Sequence, residues 1–163
     1  MQTGAKGLAL IKSFEGCILQ AYDDYNDRIA THMQLVRGTL TIGWGHTSAA
    51  GPPPVAIGMT ITQDQANQIL AADLVPVEAE VAKYVTAPLN QNQFDALVSF
   101  PFNTGWLGHP GCSLTRALNA GNYTLAAADF SLYDMASGRV LTGLVRRRKA
   151  EADLFNTPVT AGV

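Results

Sequence analysis

The chain has 163 residues, 47% of them hydrophobic, and a formal net charge of −2. That length and that apolar share exclude a disordered chain and fit one domain, with room for two lobes. The near-neutral balance argues against nucleic acid as a partner, and no stretch reaches the roughly 18 apolar residues of a spanning helix, so no stable membrane insertion is expected.

The first sixteen residues carry Lys6 and Lys12 and no long apolar run, which is not a secretory signal. Leu8 pairs with Ile11 and Leu10 with Phe14 at helical spacing, so residues 4–15 are expected to form a helix stopped by Gly16. Glu15 then falls in the last turn, at the negative end of the helix dipole, where a proton-donating carboxyl would be useful. A surface glutamate at a helix end is the commoner case by composition.

Residues 17–22 read as a strand ending in Tyr22, followed by Asp23, Asp24 and a polar segment whose Asn26-Asp27 step suggests a turn. Met33, Leu35 and Val36 could give that segment a short element. Thr39 to Trp44 reads as a second strand pairing back on the first, with Gly43 and Gly45 marking a tight approach or bulge. His46 follows, and a lone histidine is more often structural than a base.

Gly51 to Gly58, with Pro52, Pro53 and Pro54, reads as a stiff loop at the border of a sheet-bearing region. Thr62-Gln63-Asp64-Gln65 is a capping box opening a helix to about Val85, which Pro76 should kink or break. Asn90 to Gln93 repeats the cap before Phe94, Leu97 and Val98; Pro101 should disturb that helix before Gly105 ends it. Residues 113–118 and 124–132 read as short helices, and a final helix opens at Thr142 or Gly143. The basic run Arg146 to Lys149 is expected to be a solvated face, although Arg148 shares the apolar side of Leu144, Val145, Ala152 and Phe155 and could reach a carboxylate. Cys17 and Cys112 lack metal-ligand spacing and are expected as free thiols.

Carboxyls grouped near a glycine-spaced strand are the equipment of glycoside hydrolysis. With Phe14-Glu15-Gly16, Ala21-Tyr22-x-Asp24, Thr41-Ile42-Gly43-Trp44-Gly45-His46-Thr47, Gln93-Phe94-Asp95-Ala96-Leu97, Phe102-Asn103-x-Gly105 and Gly143-Leu144-Val145-Arg146-Arg147-Arg148 in order, the chain resembles the phage-type lysozymes, glycoside hydrolase family 24, over residues 5–156. The resemblance implies an α+β, lysozyme-like fold: one domain over 1–163, with a sheet lobe at about 14–60 and a helical lobe of 61–163 plus 1–13, joined by a long helix. It implies a muramidase acting on peptidoglycan glycan strands, with Glu15 as general acid, Asp24 as second carboxylate and Thr41 positioning water. Phe102 and Asn103 match positions lining the sugar cleft, and His46 and Asp73 a structural ion pair. No metal or organic cofactor is needed for this chemistry. The same resemblance implies a monomer that waits in the host cytoplasm until a holin-type protein releases it to the wall.

One departure stands out. Sixteen residues, Tyr25 to Leu40, separate Asp24 from Thr41 where the family has a short turn. This insertion leaves Asp23 and Asp27 as alternatives to Asp24. It also keeps in view a non-catalytic glycan-binding protein or virion component, and lytic transglycosylation stands as a separate enzymatic alternative.

Overall fold

A computed structural model describes residues 1–159. The fold divides into two units, one of Lys12–Val75 and one of Met1–Ile11 with Pro76 onward. Both ends of the Lys12–Val75 unit fall inside helices, α1 (Ala5–Phe14) and α2 (Gln63–Tyr84).

The Lys12–Val75 unit holds a four-stranded antiparallel sheet in the order β2-β1-β3-β4, built from β1 (Ile18–Asp23), β2 (Arg28–Ile29), β3 (Leu40–Gly43) and β4 (His46–Thr47). Strand β3 pairs back on β1 as expected, with Tyr22 opposite Thr41 and Asp23 opposite Leu40. The insertion adds β2 and a short 3-10 turn, Met33–Leu35. Ala21, Ile42, Val55, Ile61, Ala66 and Ile69 form the core here. Gly43 is left-handed at φ +64°, a conformation that favours glycine. Thr62 and Gln65 cap α2 reciprocally, at 3.1 and 2.8 Å.

Asp23 closes the insertion. It is 3% exposed, its Oδ1 accepts the N–H groups of Tyr25 (3.1 Å) and Gly38 (2.8 Å), and its Oδ2 that of Arg37 (2.9 Å). One carboxylate thus ties the start of the insertion to its end. The N–H of Arg37 above all, then those of Gly38 and Tyr25, holds this carboxyl below its ordinary range against an opposing effect of burial.

In the other unit the central element is α3 (Gln91–Thr104), capped by Asn90 and Gln93 as the sequence suggested. Phe94, Ala96, Leu97, Val98 and Phe100 are all at most 2% exposed, and each large side chain so buried stabilises by about 1.5–3 kcal/mol. Phe100 meets Phe130 and Tyr133 edge-on at 5.6 and 4.9 Å. Asp95, 1% exposed, accepts the N–H groups of Gly4 (2.8 Å) and Gly7 (3.0 Å), placing a negative charge at the start of α1. Gly7 has no room for a side chain there, since a Cβ would come within 2.9 Å of the Asp95 Cβ.

Neither proline breaks its helix. Ala72 and Pro76 are exposed, so water can serve the Ala72 carbonyl that lacks a Pro76 N–H. Pro101 is buried and adds its ring to the packed face, while Gly105, left-handed at φ 65°, donates to Pro101 O at 2.8 Å to close the helix. Beyond α3 come α4 (Ser113–Asn119), α5 (Tyr123–Asp129) and a 3-10 turn, Phe130–Tyr133. The hairpin of β5 (Met135–Ala136) and β6 (Arg139–Val140) was not anticipated, and Ser137 and Gly138, both left-handed, make its turn.

The last helix, α6 (Thr142–Asn156), corrects the expectation of a solvated basic face. Arg146 and Lys149 are exposed, but Arg147 (4%) and Arg148 (1%) are buried around Glu151 (0%). Glu151 Oε1 accepts from Ser99 Oγ (2.7 Å), Arg148 Nη2 (3.0 Å) and Arg147 Nε (3.3 Å), and Arg148 lies over the Phe100 ring. Burial pushes the Glu151 carboxyl up, and the Arg148 charge opposes it most strongly. Cys17 and Cys112 are free, and no helix among the described residues is long and apolar enough to cross a membrane.

Two outcomes follow for stability. Glu151→Ala strands two buried arginines and should cost about 3–5 kcal/mol in urea unfolding, whereas Asp153→Ala, which breaks the exposed Lys149–Asp153 pair, should cost less than about 1 kcal/mol. Asp23→Asn should destabilise relative to wild type at neutral pH. Because the folded-state pKa of Asp23 is depressed, that difference should be full above about pH 5 and close as pH falls below about 4. A pH-independent difference would show that the ionised carboxylate is not what holds the insertion.

Candidate active site

Glu15 immediately follows the last residue of α1, half-buried rather than on the open surface. Its carboxyl lies against the β3–β4 turn: a methyl group on Gly45 would stand 3.8 Å from Glu15 Oε2. Gly45 is left-handed at φ +88°, so the turn demands glycine for its backbone as well.

Asp24 leaves the end of β1 opposite Thr39. Its N–H donates to Thr39 O (3.2 Å), and its Oδ1 accepts the Thr39 N–H (2.6 Å). The Thr41 hydroxyl, on a residue only 3% exposed, donates to the same Thr39 carbonyl at 3.0 Å. The register sets Tyr22 opposite Thr41 and Asp23 opposite Leu40, while Asp24 lies just past the end of β1. A side chain at Gly38 would collide with Asp24 Oδ1, so this glycine belongs to the site although its sequence context does not announce it.

The Tyr22 phenol, 7% exposed, reports the charges gathered here. Burial pushes its pKa up first, followed by the charges of Asp27, Asp24 and Glu15 in that order. All three carboxylate charges act on Tyr22 in the same direction. Asp27 occupies a left-handed turn position (φ 56°), its N–H donating to Asp23 O at 2.9 Å.

His46 is 1% exposed and uses both ring nitrogens: Nε2–H donates to Pro53 O (2.9 Å), and Nδ1 faces the Asp73 carboxyl (2.9 Å to Oδ2). Burial pushes the Asp73 carboxyl up, and the His46 hydrogen bond opposes this. The ring fastens the proline loop to α2, and no ring nitrogen is left for a substrate.

Phe102 and Asn103 belong to the other unit and end α3. Asn103 Oδ1 accepts from Arg148 Nη2 at 3.0 Å, which fixes the amide. Asn103 also lines a cavity of about 820 Å³ with Trp106, Ser113, Tyr133 and Leu144; Phe102, half-buried, is not among its lining residues. Trp106 stacks on His109 at 4.0 Å between ring centres. The sequence reading missed this aromatic wall; an exposed tryptophan in a Gly/Pro loop was the available signal.

The phage lysozyme family matches residues 12–151. An endolysin of Salmonella phage P22 is 40% identical over 155 residues, covering 95% of this chain and 98% of that protein. Among solved structures, an endolysin from Escherichia coli O157:H7 phage FAHEc1 superposes with a TM-score of 0.80 at 35% identity, covering 99% of this chain and 98% of that one. The muramidase domain of SpmX from Asticaccaulis excentricus gives 0.78 at 37% identity, covering 96% and 99%. With an α+β fold of this topology, the chain belongs to the phage lysozyme family, and is a peptidoglycan-degrading glycoside hydrolase.

Proposed function

We propose that the chain is a glycoside hydrolase family 24 muramidase, which hydrolyses the β-1,4 bond between N-acetylmuramic acid and N-acetylglucosamine during host lysis. The observation that carries the assignment of roles is the Asp24–Thr39–Thr41 arrangement: one carboxylate and one hydroxyl, fixed through a shared backbone residue. That pairing suits the activation of a water. Glu15, set apart at the end of α1, is the general acid that protonates the leaving oxygen. Asp24 stabilises the oxocarbenium-like charge and helps to activate the water that Thr41 holds. Water attack from the face opposite the leaving group inverts the anomeric centre.

The geometry favours Asp24 over its two neighbours. Asp23 has three backbone donors on its oxygens, which makes it a clamp. Asp27 stands at a left-handed turn position in the insertion, outside the Asp24–Thr39–Thr41 arrangement. Phe102 and Asn103 are assigned to glycan binding, and release to the wall by a separate membrane-permeabilising protein completes the lysis role.

Glu15→Gln should lower kcat by about 10²–10⁴-fold without lowering thermal stability, measured by release of reducing ends from purified peptidoglycan. Asp24→Asn should lose a comparable factor, and Asp27→Asn less than about tenfold; a reversed order would move the second carboxylate to Asp27. Mass spectrometry of the products should show reducing muramic acid ends. Anhydro ends would instead assign lytic transglycosylation, and wall binding without cleavage by the wild type would overturn the enzymatic assignment.

A further inference from the structure

The insertion that separates Asp24 from Thr41 walls a cavity of about 530 Å³, lined by Asp23, Arg28, Ile29, Gln34, Leu35 and Arg37 among others. Its charge is unusual for this part of the chain. Between residues 12 and 75 the only lysines and arginines are Lys12, Arg28 and Arg37. Lys12 is engaged by Asn67 Oδ1 (2.8 Å) and the Trp44 ring, so both remaining cations are at this cavity.

Neither guanidinium has a hydrogen-bond or ion-pair partner among the described residues; the hydrogen bonds of Arg28 and Arg37 run through their backbone N–H groups. The one acid lining the cavity is Asp23, whose oxygens are occupied by three backbone donors and whose charge attracts that of Arg37, so two cations stand against one anion. The charge left for a visitor is positive. Ile29 (48% exposed) and Leu35 (66% exposed) give the same wall an apolar surface that the fold does not cover. Two free guanidinium groups beside exposed aliphatic side chains match a short peptide that bears carboxylates.

Peptidoglycan supplies such a ligand on the polymer that this site cuts. Its sugars carry no charge where the lactyl group is amide-linked, so the peptide stems hold its carboxylates. We propose that this cavity is a subsite for the peptide stem, with Arg28 and Arg37 binding a stem carboxylate and Ile29 and Leu35 contacting its aliphatic side chains. The proposal rests on the lysozyme function above, and it makes the insertion a reader of stem chemistry one residue from Asp24.

The test compares wild type with the Arg28→Ala/Arg37→Ala double variant on two substrates, stem-bearing strands and strands stripped of stems by an amidase. The ratio of kcat/KM on stem-bearing to stripped strands should fall about tenfold in the double variant, through KM, as expected for loss of charge-assisted hydrogen bonds at an exposed site. An unchanged ratio overturns the subsite. Calorimetric titration of a free stem tetrapeptide needs no cleavage and separates the two failures. Binding that the double variant loses keeps the subsite even if wild type cuts neither substrate, an outcome that would sink the lysozyme assignment instead. Absent binding, or equal binding of inorganic phosphate, overturns the stem proposal. Both arginines are exposed and the Arg37 backbone N–H persists in alanine, so the variant should melt with wild type.

Discussion

The geometry of the site depends on how one carboxylate is satisfied. Sixteen residues inserted between two strands would leave β3 free to return in more than one register, and a slip of one residue would turn every side chain to the opposite face. Asp23 removes that freedom by accepting amides from Tyr25 on one side and from Arg37 and Gly38 on the other. The strands resume pairing with Asp23 opposite Leu40 and Tyr22 opposite Thr41. The requirement for glycine at position 38 follows from the same closure, since the returning chain passes too near Asp24 for a side chain.

The second unit applies the same chemistry to a different end. Asp95 and Glu151 are almost fully buried, and each is held by donors that the fold delivers to it: the first amides of α1 for Asp95, and Ser99 with two arginines for Glu151. A buried charge so compensated adds little net stability, but its partners lose heavily if it is removed. The arginines of α6 therefore organise the interior around α3, and through Arg148 they also fix the Asn103 amide at the edge of the large cavity.

Much of this was legible from local rules. The capping boxes at Thr62 and Asn90 placed the starts of α2 and α3, and the glycine-spaced Thr41–Thr47 segment revealed β3 and its turn. Local rules failed where the outcome depends on surroundings. Proline propensity could not register that Ala72 and Pro76 lie on the exposed side of α2 or that Pro101 is packed. Charge pattern could not separate Arg147 and Arg148 from Arg146 and Lys149, because only the position of Glu151 across one helical turn decides which guanidinium groups turn inward. Adjacent aspartates look equivalent in sequence; their partners separate them, three backbone amides for Asp23 and the Thr39 amide for Asp24.

The closure at Asp23 has a consequence for variation. Residues 31–36 make their backbone hydrogen bonds locally, Leu35 to His32 and Val36 to Met33, and all but Val36 are exposed. The sheet asks nothing of the side chains in that stretch. It is held at its ends by the backbone amides of Tyr25, Arg37 and Gly38, of which only Gly38 constrains the residue type. Substitution can explore its surface without disturbing the carboxyls next to it, much as a variable loop diversifies on a constant frame.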